Sequence, residues 1–315
     1  MVDPPPSLEK DLTLRGRRFF LKVETSADSA DYAKYDDLRQ AIWGFPDDHL
    51  AGTRNMMCES FLHEGSSLFL SASTETGDFA GFAYGFVGVR DKGKAFKSLD
   101  NLWFYAQYAG VLPSWRGYGL SVALKEFQGE VVSRVLGVFE IVCTYDPLTA
   151  VNAYRNVHHF GMRVLEYRAA TYGEYGGFLN RRDVPTDRFF MSWDLRPRPS
   201  RTALPSESIR GDSRPALSVE TSVAVGRSGP IEVERPGRVD LDGEPAVWDV
   251  TIPSDFYLLL RETDLPDPEV RRIPLDWRMA TRRVFQTLLG RGYRVFDFVS
   301  LPAPQAGKAY LLGRE

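Results

Sequence analysis

Cysteine is nearly absent: the chain has two in 315 residues, Cys58 and Cys143. A disulfide framework is excluded, and a reducing, cytoplasmic setting is the simpler expectation. Histidine is scarce as well, with four residues. The adjacent pair His158-His159 would point about 100° apart on a helix, so it makes no metal pair, and no metal cofactor is expected. No apolar run approaches the ~18 residues of a membrane span, and no membrane partner is expected. The start, Met1-Val2-Asp3-Pro4-Pro5-Pro6, lacks the cationic head and apolar stretch of a signal peptide. Charge of one sign is also missing: 39 Lys and Arg stand against 42 Asp and Glu, mixed along the chain. Without a basic stripe interleaved with aromatics, nucleic acid is set aside as a partner. What is present is 43% hydrophobic and 26% charged residues, a folded chain of roughly two domains.

Periodicity and turn residues divide the chain into a flexible tail at 1–16, a larger domain at 17–195, a linker at 196–230 and a smaller domain at 231–315. The larger domain opens with a strand at Phe19–Glu24 and helices near 31–43 and 51–64. Strands at 67–73 and 79–90 are split by the turn Glu75-Thr76-Gly77-Asp78. A strand at 101–112 leads into a helix from Gly119 to Leu136, closed by Gly137. A buried-type strand at 139–145, a helix at 149–160 and strands at 162–169 and 188–195 complete it. The order is that of an α/β protein with a mixed sheet flanked by helices. The Ser-, Pro- and Arg-rich run beyond Arg196 reads as linker. The last part reads as a small α/β domain with strands at 231–235, 246–252, 293–299 and 308–313 and a helix at 276–289. Asp240-Leu241-Asp242-Gly243-Glu244 lacks the spacing of a calcium loop and reads as a hairpin turn.

The residues with chemical content lie at Val111-Leu112-Pro113-Ser114-Trp115-Arg116-Gly117-Tyr118-Gly119-Leu120. An apolar strand runs into a proline turn, then Arg-Gly-Tyr-Gly, then an amphipathic helix. Two glycines let the backbone approach a ligand without a Cβ in the way. The helix start offers unpaired N–H groups and the positive end of its dipole. Together they suit a pyrophosphate, with Arg116 adding a charge.

This stretch resembles motif A of the GNAT superfamily of acyl-CoA N-acyltransferases, Arg/Gln-x-x-Gly-x-Gly/Ala. Arg116-Gly117-Tyr118-Gly119-Leu120-Ser121 matches it, with Ser121 in the last small position. Further along, Thr144-Tyr145-Asp146-Pro147-Leu148, Asn152-Ala153, Asn156, Gly161, Tyr172-Gly173, Leu179-Asn180 and Pro185-Thr186-Asp187-Arg188 resemble a bacterial GNAT subfamily. Members of that subfamily also carry a C-terminal unit with Trp277-Arg278, Thr281-Arg282, Phe285 and Gly292-Tyr293. The resemblance implies a GNAT-like sheet and direct acyl transfer, in a ternary complex, from acetyl-CoA or another acyl-CoA, succinyl-CoA included, to a small amine or amino acid. It implies CoA contacts from Val111, Leu112, Arg116, Gly117, Tyr118, Gly119, Leu120, Ser121 and Asn152, and allows a homodimer.

The proton-transfer groups are less well marked. The family often has a tyrosine three residues before the small pair that ends the 149–160 helix, and here that position is Val157. Tyr154, one turn earlier, is the candidate acid, and Asn152 and Asn156 are candidates to hold pantetheine or the thiolate. The 101–112 strand has no carboxylate, and Gln107 cannot accept a proton at neutral pH. Asp146 is the candidate base; equally, Asp146-Pro147 can start a turn and cap the next helix. Aromatics at Trp103, Tyr105, Tyr108, Tyr145, Tyr172 and Tyr175 suggest an apolar acceptor pocket, and Arg155, Arg163 and Arg168 could meet a carboxylate. Without the standard tyrosine and a clear base, the alternative function is a non-catalytic acyl-CoA-binding or sensing module. Other chemistry on the same fold, such as decarboxylation, is a third reading.

Overall fold

The computed structural model describes residues 8–44, 59–173, 176–177, 179–196, 213–301 and 307–314. It is a mixed α/β protein. Its chain contacts divide it into two compact units: Met1–Cys143 with Asp194–Arg196, and Thr144–Trp193 with Pro197–Glu315. The division falls at Thr144 rather than within the 196–230 segment expected as a linker.

Unit 1 is built on strands β1 (Glu9–Leu14), β2 (Arg17–Val23), β3 (Ser67–Thr74), β4 (Phe79–Val89), β5 (Leu102–Val111) and β6 (Glu140–Tyr145), adjacent in that order. The first five pair antiparallel. β6 runs parallel to β5, so a crossover helix must join them, and α2 (Leu120–Arg134) does so. The segment expected as a flexible tail contains β1, paired with β2 through a turn at Arg15–Gly16. Its Glu-Lys-Asp-Leu-Thr-Leu sequence alternates exposed and half-buried positions. That is the charged pattern of an edge strand, and composition alone mimics a tail.

Helix α1 (Lys34–Trp43) covers one face of this sheet with Tyr35, Leu38 and Ile42, one helical stripe, after a 3-10 turn that brings Tyr32. Asp36 and Asp37 in its first turn favour the positive end of the dipole. Beneath it Phe69 and Phe82 stack at 5.4 Å. The approach to β5 is close: a Cβ on Gly110 would stand 2.8 Å from Ile42 Cδ1 and 2.8 Å from Trp43 Cη2. The helix expected at 51–64 lies largely outside the described residues. Its last residues form turns and a bridge from Ser60 to Ser67, with no helix.

Unit 2 contains α3 (Ala150–Ala153), which continues as a π-helical turn over Tyr154–His159, and the antiparallel pair β7 (Arg163–Arg168) and β8 (Arg188–Asp194). Within the segment expected as linker, residues 213–230 form β9 (Arg214–Pro215), β10 (Leu217–Gly226) and the start of β11 (Gly229–Val239). β10 and β11 form a hairpin closed by Arg227-Ser228. β12 (Val247–Ile252), α4 (Phe256–Glu262), α5 (Pro268–Arg271), α6 (Ile273–Gly290), β13 (Arg294–Leu301) and β14 (Gly307–Gly313) follow, with the sheet order β13-β14-β12-β9. Because β11 pairs with β10 and not with β12, the 240–244 segment is a connecting loop, not the expected hairpin turn.

The α6 helix buries Trp277, Thr281, Val284, Phe285 and Leu288 of the expected apolar face, leaves Leu289 of that face half-buried, and also buries Arg278. Phe285 packs at 4.8 Å from Phe189 of β8 and 5.3 Å from Tyr310 of β14. Residues before and after the 197–212 segment therefore share one core. Among the described residues no helix is long and apolar enough to cross a membrane.

Candidate functional site

The β5 strand is irregular in two ways that matter. Its register with β4 shifts between Tyr84↔Tyr108 and Gly85↔Ala106, so Gln107 is the extra, unpaired residue of a bulge and is exposed. On its other edge it pairs with β6 only at Phe104 and Tyr105. From Ala106 to Val111 that edge has no strand partner among the described residues. Leu112 donates its N–H to Ala80 O at 2.9 Å, toward β4. Successive N–H groups of a strand alternate in direction, so that of Val111 points to the open edge. A strand inside a sheet with a bare edge has main-chain donors available to an extended ligand.

The loop after β5 is held by its side chains and leaves its backbone free. Trp115 and Tyr118 meet Phe19 edge-on, at 5.7 and 6.1 Å between ring centroids. Arg116 donates from Nε to Val111 O at 3.3 Å. Gly117 and Gly119 take φ of 84° and 92°, and an added Cβ would meet nothing within 4 Å at either. Only glycine adopts this conformation without strain, and the open space above it is where a ligand can come close. α2 starts at Gly119 with no side-chain cap. Among the described residues, the N–H groups of Gly117, Tyr118, Gly119, Leu120 and Ser121 meet no protein acceptor. Leu120 is buried and anchors the helix start. Unpaired donors at the positive end of a 15-residue helix are of the kind that can meet an anion. Leu112 differs from Val111: its N–H goes to Ala80, so it has no free main-chain donor, and its carbonyl accepts from Trp115 at 2.9 Å.

Asp146, Asn152, Tyr154 and Asn156 all lie in unit 2. Asp146 does not fit the expected role of base. It is buried, and Arg278 grips both its oxygens, with Nη1 to Oδ1 at 2.9 Å and Nη2 to Oδ2. Arg188 Nη1 stands 3.5 Å from Oδ2, and the Leu148 N–H donates to Oδ1 at 2.9 Å. Thr149 donates its N–H and hydroxyl to the Asp146 carbonyl, so this residue builds the turn ahead of α3. Three hydrogen bonds and the charge of a second arginine commit this carboxylate to the protein itself. Charge pattern along the chain gave no hint of Arg278, because its partner is 132 positions away.

Asn152 donates to Thr149 Oγ1 at 3.0 Å and accepts from Arg155 at 2.8 Å. Asn156 is 2% exposed and its Oδ1 has no hydrogen-bond partner. Tyr154, by contrast, is 55% exposed and stacks on His158 at 4.8 Å. Two positions apart, Tyr154 and Asn156 face roughly opposite ways, so they do not serve one ligand together. Arg168 is paired with Glu166 at 2.8 Å, Tyr145 shares a hydrogen bond with Tyr310 at 3.0 Å, and Tyr172 with Thr144 at 2.6 Å. Tyr175 lies outside the described residues. No group of three or more His, Cys, Asp or Glu placed to hold a metal occurs among the described residues.

A second polar cluster in unit 2 escaped the sequence reading. Asp187 takes Arg282 at 2.7 and 2.6 Å, Tyr167 OH at 2.6 Å and the Ala170 N–H at 2.9 Å. Burial pushes its carboxyl up, and these hydrogen bonds outweigh burial and hold it below the usual carboxylate range.

No family model matches the chain, and no curated protein matches it. Solved structures do. The chain is similar to the ribosomal-protein-S5-alanine acetyltransferase of Vibrio fischeri, at 11% identity over 60% of this chain and 100% of that one, with a TM-score of 0.43. It is similar to the ribosomal-protein-S18-alanine N-acetyltransferase of Escherichia coli, at 16% identity over 58% of this chain and 99% of that one, with a TM-score of 0.41. It is also similar to NAA60 of Arabidopsis thaliana in complex with acetyl-CoA, at 10% identity over 56% of this chain and 99% of that one, with a TM-score of 0.41. These are likenesses of fold.

Proposed function

We propose that the protein is an acyl-CoA-dependent N-acyltransferase of the GNAT type, acting on a small amine or amino acid by direct attack in a ternary complex. The carrying observation is the run of unpaired N–H groups from Gly117 to Ser121, at a helix start where two left-handed glycines leave the space above them open. Such a cradle suits the pyrophosphate of CoA, with the Arg116 guanidinium beside it. The Val111 N–H on the bare edge of β5 is the proposed donor to the pantetheine arm and the thioester carbonyl. A donor aimed at a developing oxyanion is worth a few kcal/mol in the transition state.

In the reaction the amine nitrogen forms a bond to the carbonyl carbon and the carbon–sulfur bond breaks. The amine loses a proton and the CoA thiolate gains one. Since Asp146 is engaged by Arg278, the amine proton leaves to water, with the exposed Gln107 amide as the proposed group that orients it. The acyl group is acetyl or another short chain, with succinyl among those to test.

The test is calorimetric titration of CoA, acetyl-CoA and succinyl-CoA into wild type and Gly119→Glu, followed by release of free CoA thiol with a panel of amines. Binding by wild type and loss in the folded variant supports the cradle. Wild type that binds none of the three refutes the reading. The engaged Asp146 favours a second reading, an acyl-CoA sensor without turnover; tight binding with no thiol release for any amine would select it.

A further inference from the structure

Unit 2 holds a groove of about 500 Å³ between the α3–π segment and the β13–β14 hairpin. That is the size of a small-ligand site. Val151, Tyr154 and His158 recur at helical spacing on one side, and Phe298, Val299, Ser300 and Lys308 line the other. The helix is widened here: the Phe160 N–H reaches back five residues to Arg155 O at 3.0 Å. Such π turns sit often at functional sites. Val151 is 77% exposed, and with the half-exposed Tyr154 ring it gives the groove an apolar wall open to solvent.

The polar groups of the groove are sorted by charge. Asp297 Oδ1 accepts from His158 Nδ1 at 2.8 Å and from the Phe298 N–H at 2.8 Å. That bond fixes the imidazole plane, stacked on Tyr154, and leaves Nε2 as the ring nitrogen for a ligand. Ser254 gives its hydroxyl and N–H to Glu234, at 2.8 and 2.6 Å. Lys308 donates to Ser300 Oγ at 2.6 Å and has no carboxylate within ion-pair distance among the described residues. The cation that lines the groove is Lys308, set beside aromatic and aliphatic walls.

We infer that this groove binds a small organic carboxylate carried on an apolar body, its oxygens meeting Lys308 Nζ and its body lying against Tyr154, Val151 and Phe298. The site is built wholly from unit 2 and does not depend on acyl-CoA binding.

Titration calorimetry of the full-length chain tests it, with 4-phenylbutanoate, its neutral analogue 4-phenylbutanol and inorganic phosphate as probes. The carboxylate should bind about tenfold or more tightly than the alcohol, since a charge-assisted hydrogen bond separates them. Lys308→Met, which keeps the apolar stem, should erase that difference while leaving the alcohol unaffected. Tyr154→Ala should weaken both organic probes, and phosphate, lacking the apolar body, should bind far more weakly. Gly119→Glu should bind the carboxylate as wild type does, which assigns it away from the loop of unit 1. The inference is overturned if wild type does not bind the carboxylate, if either groove substitution leaves its affinity unchanged, if phosphate binds as tightly, or if Gly119→Glu abolishes binding.

Discussion

The loop at Arg116–Ser121 and the buried ion pairs around Asp146 and Asp187 handle polarity in opposite ways. In the loop the polar atoms are main-chain donors left unpaired and facing open space. Around Asp146 and Asp187 they are charged side chains drawn from distant positions and matched to one another, oxygen by oxygen. Unpaired donors add nothing to the stability of the free protein. Paired buried charges make a unique arrangement costly to break, because removing one partner strands the other without water. From the sequence Asp146 stood equally as a base and as a turn former, and the pairing around it favours the turn.

Substitutions can break this contrast from either side. The largest stability effect is expected from Asp146→Ala, which strands the buried Arg278 guanidinium and should cost ~3–5 kcal/mol in urea unfolding. The double variant Asp146→Leu with Arg278→Met should recover most of that loss, and a double variant as unstable as the single one would show that the pair itself is not the cause. Gly119→Glu comes next. Its expected effect is on ligand, with CoA affinity falling ~100-fold or more, while the strained backbone costs only ~1–2 kcal/mol of stability. If stability and affinity fell together through global unfolding, the loop would be structural rather than a cradle.

Gly110→Val probes the packing of unit 1. The new side chain meets Ile42 and Trp43 at distances too short to keep, and overpacking of this kind costs ~1–3 kcal/mol. Arg116→Ala should be the mildest, within ~0.5 kcal/mol of wild-type stability as an exposed substitution, yet with CoA binding weakened about tenfold.

Acidity sharpens the same comparison. Asp187 is depressed in the folded state, so its contribution is fully present above the unfolded carboxylate value, about 4. It is lost as pH falls through the lower folded value. Glu24 of unit 1 behaves alike: burial raises it, and hydrogen bonds from Tyr35 and Ser71 with the charge of Lys22 more than offset this. Unfolding free energy should therefore rise with pH across the acid range, and Asp187→Asn should flatten that slope. An unchanged slope would remove Asp187 from the account. Asp249, raised by burial, works with the opposite sign.

Much of unit 1 was legible because its signals are local. The β5 strand, the proline turn, the two glycines and the stripe Leu120, Ala123, Leu124, Phe127, Val131 lie within one stretch, and the structure places them as strand, loop and helix. The misreadings share a cause. Glu9–Leu14 and Leu217–Gly226 are strands with few large apolar residues, stabilised by one neighbour each, so composition suggested tail and linker. The 149–160 helix was legible as a helix but not as a π turn, since widening depends on what packs against it. Asp146 and Asp187 could be seen as acids but not as paired ones, because their arginines arrive from α6.

By itself the sequence determined an α/β protein and a glycine loop at a helix start, because backbone freedom and apolar period are properties of neighbouring residues. Only the tertiary structure decided which polar groups are engaged and which are open. It matched Asp146 to Arg278, left the Gly117–Ser121 amides without a partner and put Tyr154 in a groove with Lys308. Whether a donor or a charge is satisfied depends on what the fold brings within about 3 Å of it, and spacing along the chain does not carry that information.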